Sequence, residues 1–243
     1  MSDAFTPRAG ESPDASARPI VIASPHARND SLEMRVRTAL PGRRVVRIRS
    51  RAELVRAVLE ALDPELVVLP HWSWLVPASV HERFECVIFH MTDLPYGRGG
   101  SPLQNLIVRG HTETMISALR CEAGLDTGPV YFKRRLSLDG TAEEILQRAS
   151  DVIAGMIVDI VRDRPVPVPQ AGDLVTFTRR RARDGDLAPL QDLQAVHDYI
   201  RMLDAEGYPP AFVDTEHLHI EFAEARVMDD FVTATVRIRR RTP

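Results

Sequence analysis

Cys86-Val87-Ile88-Phe89-His90-Met91-Thr92-Asp93-Leu94-Pro95-Tyr96-Gly97-Arg98-Gly99-Gly100-Ser101-Pro102 is the stretch from which the rest of the chain can be placed. Four apolar residues run without polar alternation into a histidine, the pattern of a short strand covered on both faces. A turn with glycines at 97, 99 and 100 follows at once. Glycine tolerates positive φ and lets backbone approach a ligand closely. Side chains alternate along a strand, so Ile88 and His90 share one face while Val87 and Phe89 take the other.

Upstream, the same kind of apolar run occurs at Pro19-Ile20-Val21-Ile22-Ala23-Ser24 and at Leu66–Leu69, and a further strand is read at Val45–Ile48. Helical patterns lie between them, near 31–39 and over Ala52–Leu62. Strands alternating with helices predict a Rossmann-like α/β fold, a mostly parallel sheet with helices on both faces. Downstream, Ser101–Gly110 reads as a short helix opened by Ser-Pro and closed by glycine. Thr114–Arg120 and Val130–Leu136 read as strands, and Thr141-Ala142-Glu143-Glu144 is a capping box for a helix reaching about Val161. Arg164-Pro165-Val166-Pro167-Val168-Pro169 is a stiff connector that closes a first domain spanning 19–165. The remainder, 166–243, carries a strand near Val175–Thr178, a helix near Leu193–Leu203 and strands at His217–Val227 and Phe231–Ile238. It predicts a small α+β subdomain. Residues 1–18 are small, polar and punctuated by Pro and Gly, which predicts a disordered tail.

The composition is that of an ordinary soluble protein: net charge −3, 44% apolar and 27% charged residues. No apolar run approaches the length of a membrane span, and the first twenty residues lack the apolar core of a signal peptide. A cytoplasmic location without membrane contact is expected. Cys86 and Cys121 both fall in strand patterns and read as buried free thiols.

The chemistry concentrates at strand ends. In open α/β sheets ligands bind outside the carboxyl ends of the strands, where His90 lies. Thirty-six residues on, Leu125-Asp126-Thr127-Gly128-Pro129 forms a second tight turn. Asp and Gly favour turns for local reasons. A His and an Asp at the ends of neighbouring strands can also pair, the carboxylate fixing the ring's tautomer and charge. Pro70-His71-Trp72-Ser73-Trp74-Leu75-Val76-Pro77 follows the Leu66–Leu69 strand and holds both tryptophans of the chain. These either cover a core edge or shape an apolar slot for a flat ligand. The first strand-to-helix loop, Ser24–Asp30, is neither G-x-G-x-x-G nor a P-loop. His26 and Arg28 in it are solvated loop residues or an anion contact near a helix start. His111, His197, His217 and His219 have no acidic or thiol neighbours at metal-ligand spacing, and no metal site is expected.

The order strand–His90–Leu94-Pro95–glycine turn–Pro102, followed by Asp126-Thr127-Gly128-Pro129, resembles the catalytic core of the folate-dependent formyltransferases. That family formylates initiator methionyl-tRNA, glycinamide ribonucleotide and nucleotide-linked amino sugars. The likeness is specific over about residues 66–136 and weaker elsewhere. It implies N10-formyltetrahydrofolate as formyl donor and a primary amine as acceptor, with His90 and Asp126 catalytic. Protonated His90 would stabilise the oxyanion while Asp126 holds it and relays the amine proton. The resemblance further implies that Trp72, Ser73, Trp74, Leu75, Val76, Leu94 and Gly128 bind the folate. The acceptor would meet Arg98, Gln104, Asn105, His26 and Arg28. One position departs from the pattern: most members carry an asparagine two residues before the histidine, to hold the oxyanion, and here that residue is Ile88. Backbone N–H groups of Gly97–Gly100, or the amides of Gln104 or Asn105, are the candidate replacements.

Phe177-Thr178-Arg179-Arg180, His197–Arg201 and Gly207–Phe212 are similar to the stretch that follows the core in tRNA-type and sugar-type members. From 166 to 243 there are ten Arg against thirteen Asp and Glu. Binding a polyphosphate chain leans on positive charge. A small acceptor is therefore expected, a nucleotide-linked amino sugar, with no nucleic-acid partner, and a homodimer contact is possible through the late strands. The alternatives are formylation of a non-sugar amine in secondary metabolism, or a formylfolate hydrolase or folate-binding protein without transferase activity.

Overall fold

The computed structural model describes residues 18–241. The expected tail therefore lies outside the described residues except for Arg18, which is held: its guanidinium donates to the carbonyls of Asp63 and Pro64.

Four parallel strands form the centre, β1 (Ile20–Ala23), β2 (Val45–Ile48), β3 (Leu66–Leu69) and β4 (Cys86–His90), in the order β2-β1-β3-β4. β1, β3 and most of β4 are legible as apolar runs because they are covered on both faces, while β2 carries Arg47. Alternate residues go to opposite clusters: Ile20 and Ile22 face one way, Val21 and Ala23 the other. The first side is closed by α1 (Asp30–Ala39), a six-residue α4 (Pro102–Ile107) and the long α5 (Ala142–Asp163). On the second side lie α2 (Arg56–Leu62) and the short α3 (Ala78–His81). Fully burying a Val, Leu or Ile side chain contributes about 1.5–3 kcal/mol, which makes this doubly covered centre the stable base of the molecule. The helix read over Ala52–Leu62 starts only at Arg56, after a turn at 51–53.

The strand β5 (Tyr96–Gly99) interrupts the series; then β6 (Glu113–Arg120) and β7 (Val130–Ser137) extend the sheet antiparallel beyond β4. The sheet thus changes direction at the β4–β6 seam, where His90 pairs with Ser117. The capping box of α5 is formed, Thr141 accepting from the Glu144 N–H and Glu144 from that of Thr141.

After α5 the chain crosses back over the first domain. Val168 bridges Val130, and β8 (Val175–Phe177) pairs in parallel with β5. These bonds tie the stretch 168–177 to the first domain. The proline run directs the chain; it does not detach it. The second unit holds α6 (Leu193–Arg201), capped by Asp192, packed on a three-stranded sheet of β9 (Ala211–Asp214), β10 (Leu218–Val227) and β11 (Val232–Arg240). Among the described residues, no helix is long and apolar enough to cross a membrane.

Candidate active site

A cleft of about 1400 Å³ opens at the carboxyl ends of β1, β3 and β4. Its walls come from loops 25–28, 71–76, 99–104 and 121–126, and from 177–181 and 203–209 of the following segments. Left-handed backbone gathers here: His71 (φ 52°), Ser101 (φ 52°) and Asp126 (φ 54°) all line it. Non-glycine residues held in that region cost about 1–3 kcal/mol each and tend to mark working sites.

His90 ends β4 in the floor, with only 7% of its surface exposed. Its Nε2 lies 2.8 Å from the carbonyl oxygen of Gly97, and its Nδ1 lies 3.6 Å from Asp126 Oδ2. A carbonyl can only accept, so the Gly97 contact places the hydrogen on Nε2 and leaves Nδ1 as the nitrogen that gains and loses a proton. Asp126 is fixed separately: its Oδ2 accepts the Gly99 N–H at 2.9 Å. The loop after His90 is pinned by Ser117, whose hydroxyl donates to the Thr92 carbonyl and accepts from the Leu94 N–H. Glycine is required at 99, where φ is 111° and an added Cβ would run into the Phe177 carbonyl.

The Trp72–Val76 loop lies along the cleft as expected. Trp72 and Trp74 meet edge to face with centroids 5.0 Å apart, and Leu75 is 77% exposed. Trp72 Nε1 is buried without a hydrogen-bond partner. His26 and Arg28 also line the cleft, next to His71. Arg28 is held by Glu143 at 3.3 Å and donates to the Glu206 carbonyl, while burial and then Arg28 push His26 below the usual histidine range. Cys121, just past β6, is a free thiol on the rim raised to about 11 by burial and then by Asp126.

Other expectations are not met. Leu94 is buried with Leu119 and Val130 beneath the site and does not reach the cleft. Gly128 also lies off it, packed on the Arg120 carbonyl. Arg98 turns away to grip Gln170 Oε1 through two N–H groups, at 3.1 and 2.8 Å. The Asn105 amide donates to the carbonyls of Gly100, Ser101 and Thr178, so it ties the turn to the second unit instead of facing an acceptor. Gln104 lines the cleft but donates to the Met202 carbonyl. Gly99 N–H serves Asp126 and Gly100 N–H serves the Phe177 carbonyl. The groups expected to replace an amide at Ile88 are thus largely engaged, and Ile88 itself lines the cleft.

Three features escaped the sequence. His71 is half-buried against the cleft, its Nε2 3.1 Å from the Ser150 hydroxyl, in a chain continuing through Asn29 to Ser24. Burial, with Arg28 and His26 beside it, lowers it to about 3. Arg179, Arg180 and Arg181 border the cleft. Gln170 donates to the carbonyls of Asp126 and Gly128, both at 2.8 Å. The histidine could have been read from its place beside two tryptophans; the glutamine, in a proline-rich connector, gave no signal. Away from the site, His219 is not without an acidic partner, since its Nδ1 lies 2.6 Å from Asp214. Among the described residues no group of His, Cys, Asp and Glu is placed to hold a metal.

The formyl transferase family pattern matches residues 23–161, and that of the methionyl-tRNA formyltransferase C-terminal domain matches 182–239. A solved methionyl-tRNA formyltransferase from Clostridium thermocellum is 42% identical, with a TM-score of 0.89 over 92% of this chain and 100% of its own. The methionyl-tRNA formyltransferase of Rickettsia typhi is 25% identical over 189 residues, 74% of this chain and 62% of that protein. The chain therefore spans less than two thirds of that relative's length. HypX from Aquifex aeolicus, solved in complex with tetrahydrofolic acid, shares the fold at a TM-score of 0.70 and 18% identity, over 85% of this chain and 37% of its own. Together with the pairing of His90 and Asp126, the two pattern matches place the chain in the formyl transferase family.

Proposed function

We propose that the protein transfers a formyl group from N10-formyltetrahydrofolate to the primary amine of a small molecule, a nucleotide-linked amino sugar. The observation that carries the transfer is the His90 ring, with Nε2 fixed by the Gly97 carbonyl and Nδ1 turned toward Asp126. The folate fits the residues present: Trp72–Val76 offer an apolar slot, and the unpartnered Trp72 Nε1 offers a donor within it. When bound, the folate supplies the activated formyl carbon.

His90 Nδ1 takes the proton that the attacking amine must lose, and the Asp126 carboxylate stabilises the imidazolium so formed. Asp126 is kept in place for this by the Gly99 N–H and its own turn. With Ile88 unable to donate, the imidazolium carries more of the charge stabilisation than it would beside an asparagine. Burial of both groups, with side chains 8% and 9% exposed, strengthens that interaction by excluding water.

The choice of acceptor rests on charge. The segment 166–243 is net acidic, which disfavours a long polyphosphate partner. A second reading, the aminoacyl end of methionyl-tRNA, is favoured by the names of the relatives and by Arg179–Arg181 on the cleft wall. The test is tetrahydrofolate release from the formyl donor, followed with nucleotide amino sugars, with methionyl-tRNA and with no amine. Release only with the sugars supports the proposal. Release only with methionyl-tRNA overturns the acceptor, and release without amine makes the protein a hydrolase.

A further inference from the structure

We infer that Gln170 is a positioning residue for the His90–Asp126 pair, acting as a clamp that ties the Asp126 turn to the β5 strand. The inference rests on the site assignment above and adds a residue outside the pattern that defines it. The Gln170 carboxamide is used at both ends. Its Nε2 donates to the carbonyls of Asp126 and Gly128, each at 2.8 Å. Its Oε1 accepts two N–H groups of Arg98, in the middle of β5. The neighbour of Arg98, Gly99, then donates its N–H to the Asp126 carboxylate. A closed ring results: Asp126 backbone, Gln170, Arg98, Gly99, Asp126 side chain.

Such a ring has work to do here. Asp126 sits at φ 54°, a left-handed conformation that aspartate adopts more readily than most residues but that surrounding contacts must still hold. Among the described residues, the carboxylate's only hydrogen bond to a backbone group is the Gly99 N–H. Relaxing the turn toward ordinary backbone angles would swing Oδ2 away from both Gly99 and His90. The amide suits the clamp because it pairs two donors with one acceptor on a single planar group. Glutamate could keep Arg98 but would set an oxygen against two carbonyl oxygens.

The experiment combines steady-state kinetics with amide hydrogen exchange on the full chain. Gln170→Ala should lower kcat at least tenfold, with a smaller change in the KM for formyltetrahydrofolate. Gly99 amide exchange should quicken by a similar factor, as it should in Asp126→Ala. In the Asp126→Ala background, adding Gln170→Ala should cost nothing more, because residues acting through one another are non-additive. Gln170→Glu, which keeps the shape, should be as slow as Gln170→Ala at neutral pH, and its rate relative to the wild type should rise as the pH falls and the carboxyl regains one donor. Independent losses in the double variant, or unchanged Gly99 exchange in both Gln170 variants, would overturn the clamp. If the wild-type chain transfers no formyl group, the functional reading fails while the exchange result still decides the clamp.

Discussion

Gly128→Ala tests how tightly the Asp126 turn is built. A Cβ added there would lie 3.0 Å from the Arg120 carbonyl carbon, with the carbonyl oxygen closer still. Carbon atoms prefer separations of about 3.5–4.0 Å, so the turn has to retreat by roughly 1 Å or more. Neither side can give cheaply: Arg120 is the last residue of β6, and its N–H is bonded to the Pro129 carbonyl. Overpacking of this kind costs about 1–3 kcal/mol. For a chain of this size each kcal/mol lowers Tm by about 2–4 °C, giving a fall of roughly 2–12 °C by calorimetry. The retreat also displaces Asp126, two residues away. A misplacement of about 1 Å in a catalytic group can cost on the order of a hundredfold in rate. The companion variant is Gly155→Ala, inside α5, where an added Cβ meets nothing within 4 Å. It should raise stability by up to about 1 kcal/mol through helix propensity and leave turnover alone. If Gly128→Ala keeps wild-type Tm and turnover, the turn is not fixed by that contact. If it loses stability but not rate, the turn does not position Asp126.

His90→Ala should lower kcat by about a hundred- to ten-thousand-fold with the fold intact by circular dichroism; near-normal turnover would rule out proton transfer through this ring. Ile88→Asn restores an amide donor where the expected substitutes are engaged elsewhere, and should raise kcat about tenfold, equivalent to about 1.4 kcal/mol, at some cost in Tm. An unchanged or lower rate would mean that another donor already serves. His71 titrates near 3 in the folded protein, against an ordinary value of 6.5. The unfolded chain therefore binds a proton that the folded one refuses. This contribution to stability is complete above pH 6.5 and is lost as the pH falls toward 3, by up to about 1.4 kcal/mol per pH unit. Urea unfolding at pH 7, 6 and 5 should show a shallower slope for His71→Asn, which also tolerates the left-handed backbone; equal slopes would refute the assignment.

The central strands were readable because double burial leaves its mark as unbroken apolar runs, and α5 because its capping box is written in the sequence. The strand β5 was not: Tyr96-Gly97-Arg98-Gly99 has no strand pattern, and becomes one only because β8 lies beside it. In the same way β9 follows two prolines and exists through its pairing with β10. At the site, His90 stood out because it ends a strand before a glycine-rich turn, and Asp126 because it lies in a second glycine-containing turn between two strands. Arg98 and Asn105 were misread for a common reason. A polar side chain next to a site looks ligand-facing in sequence, yet buried carbonyls also demand donors, and here those demands came first. Leu94 shows the apolar counterpart, a residue near the site that supports it from below.

The return of the chain across the first domain decides where the molecule can be cut. A fragment ending at 165 would omit Gln170 and β8, and would uncover the site left by Phe177, a residue 2% exposed that packs in the main core. The proline punctuation therefore does not mark a joint. A different second unit could be grafted onto this scaffold only downstream of Phe177, and the graft would inherit the dozen residues before it as part of the first unit. Exchange of the second unit has to preserve that strap, so 166–177 is constrained by β5 and Asp126 although it reads like a linker.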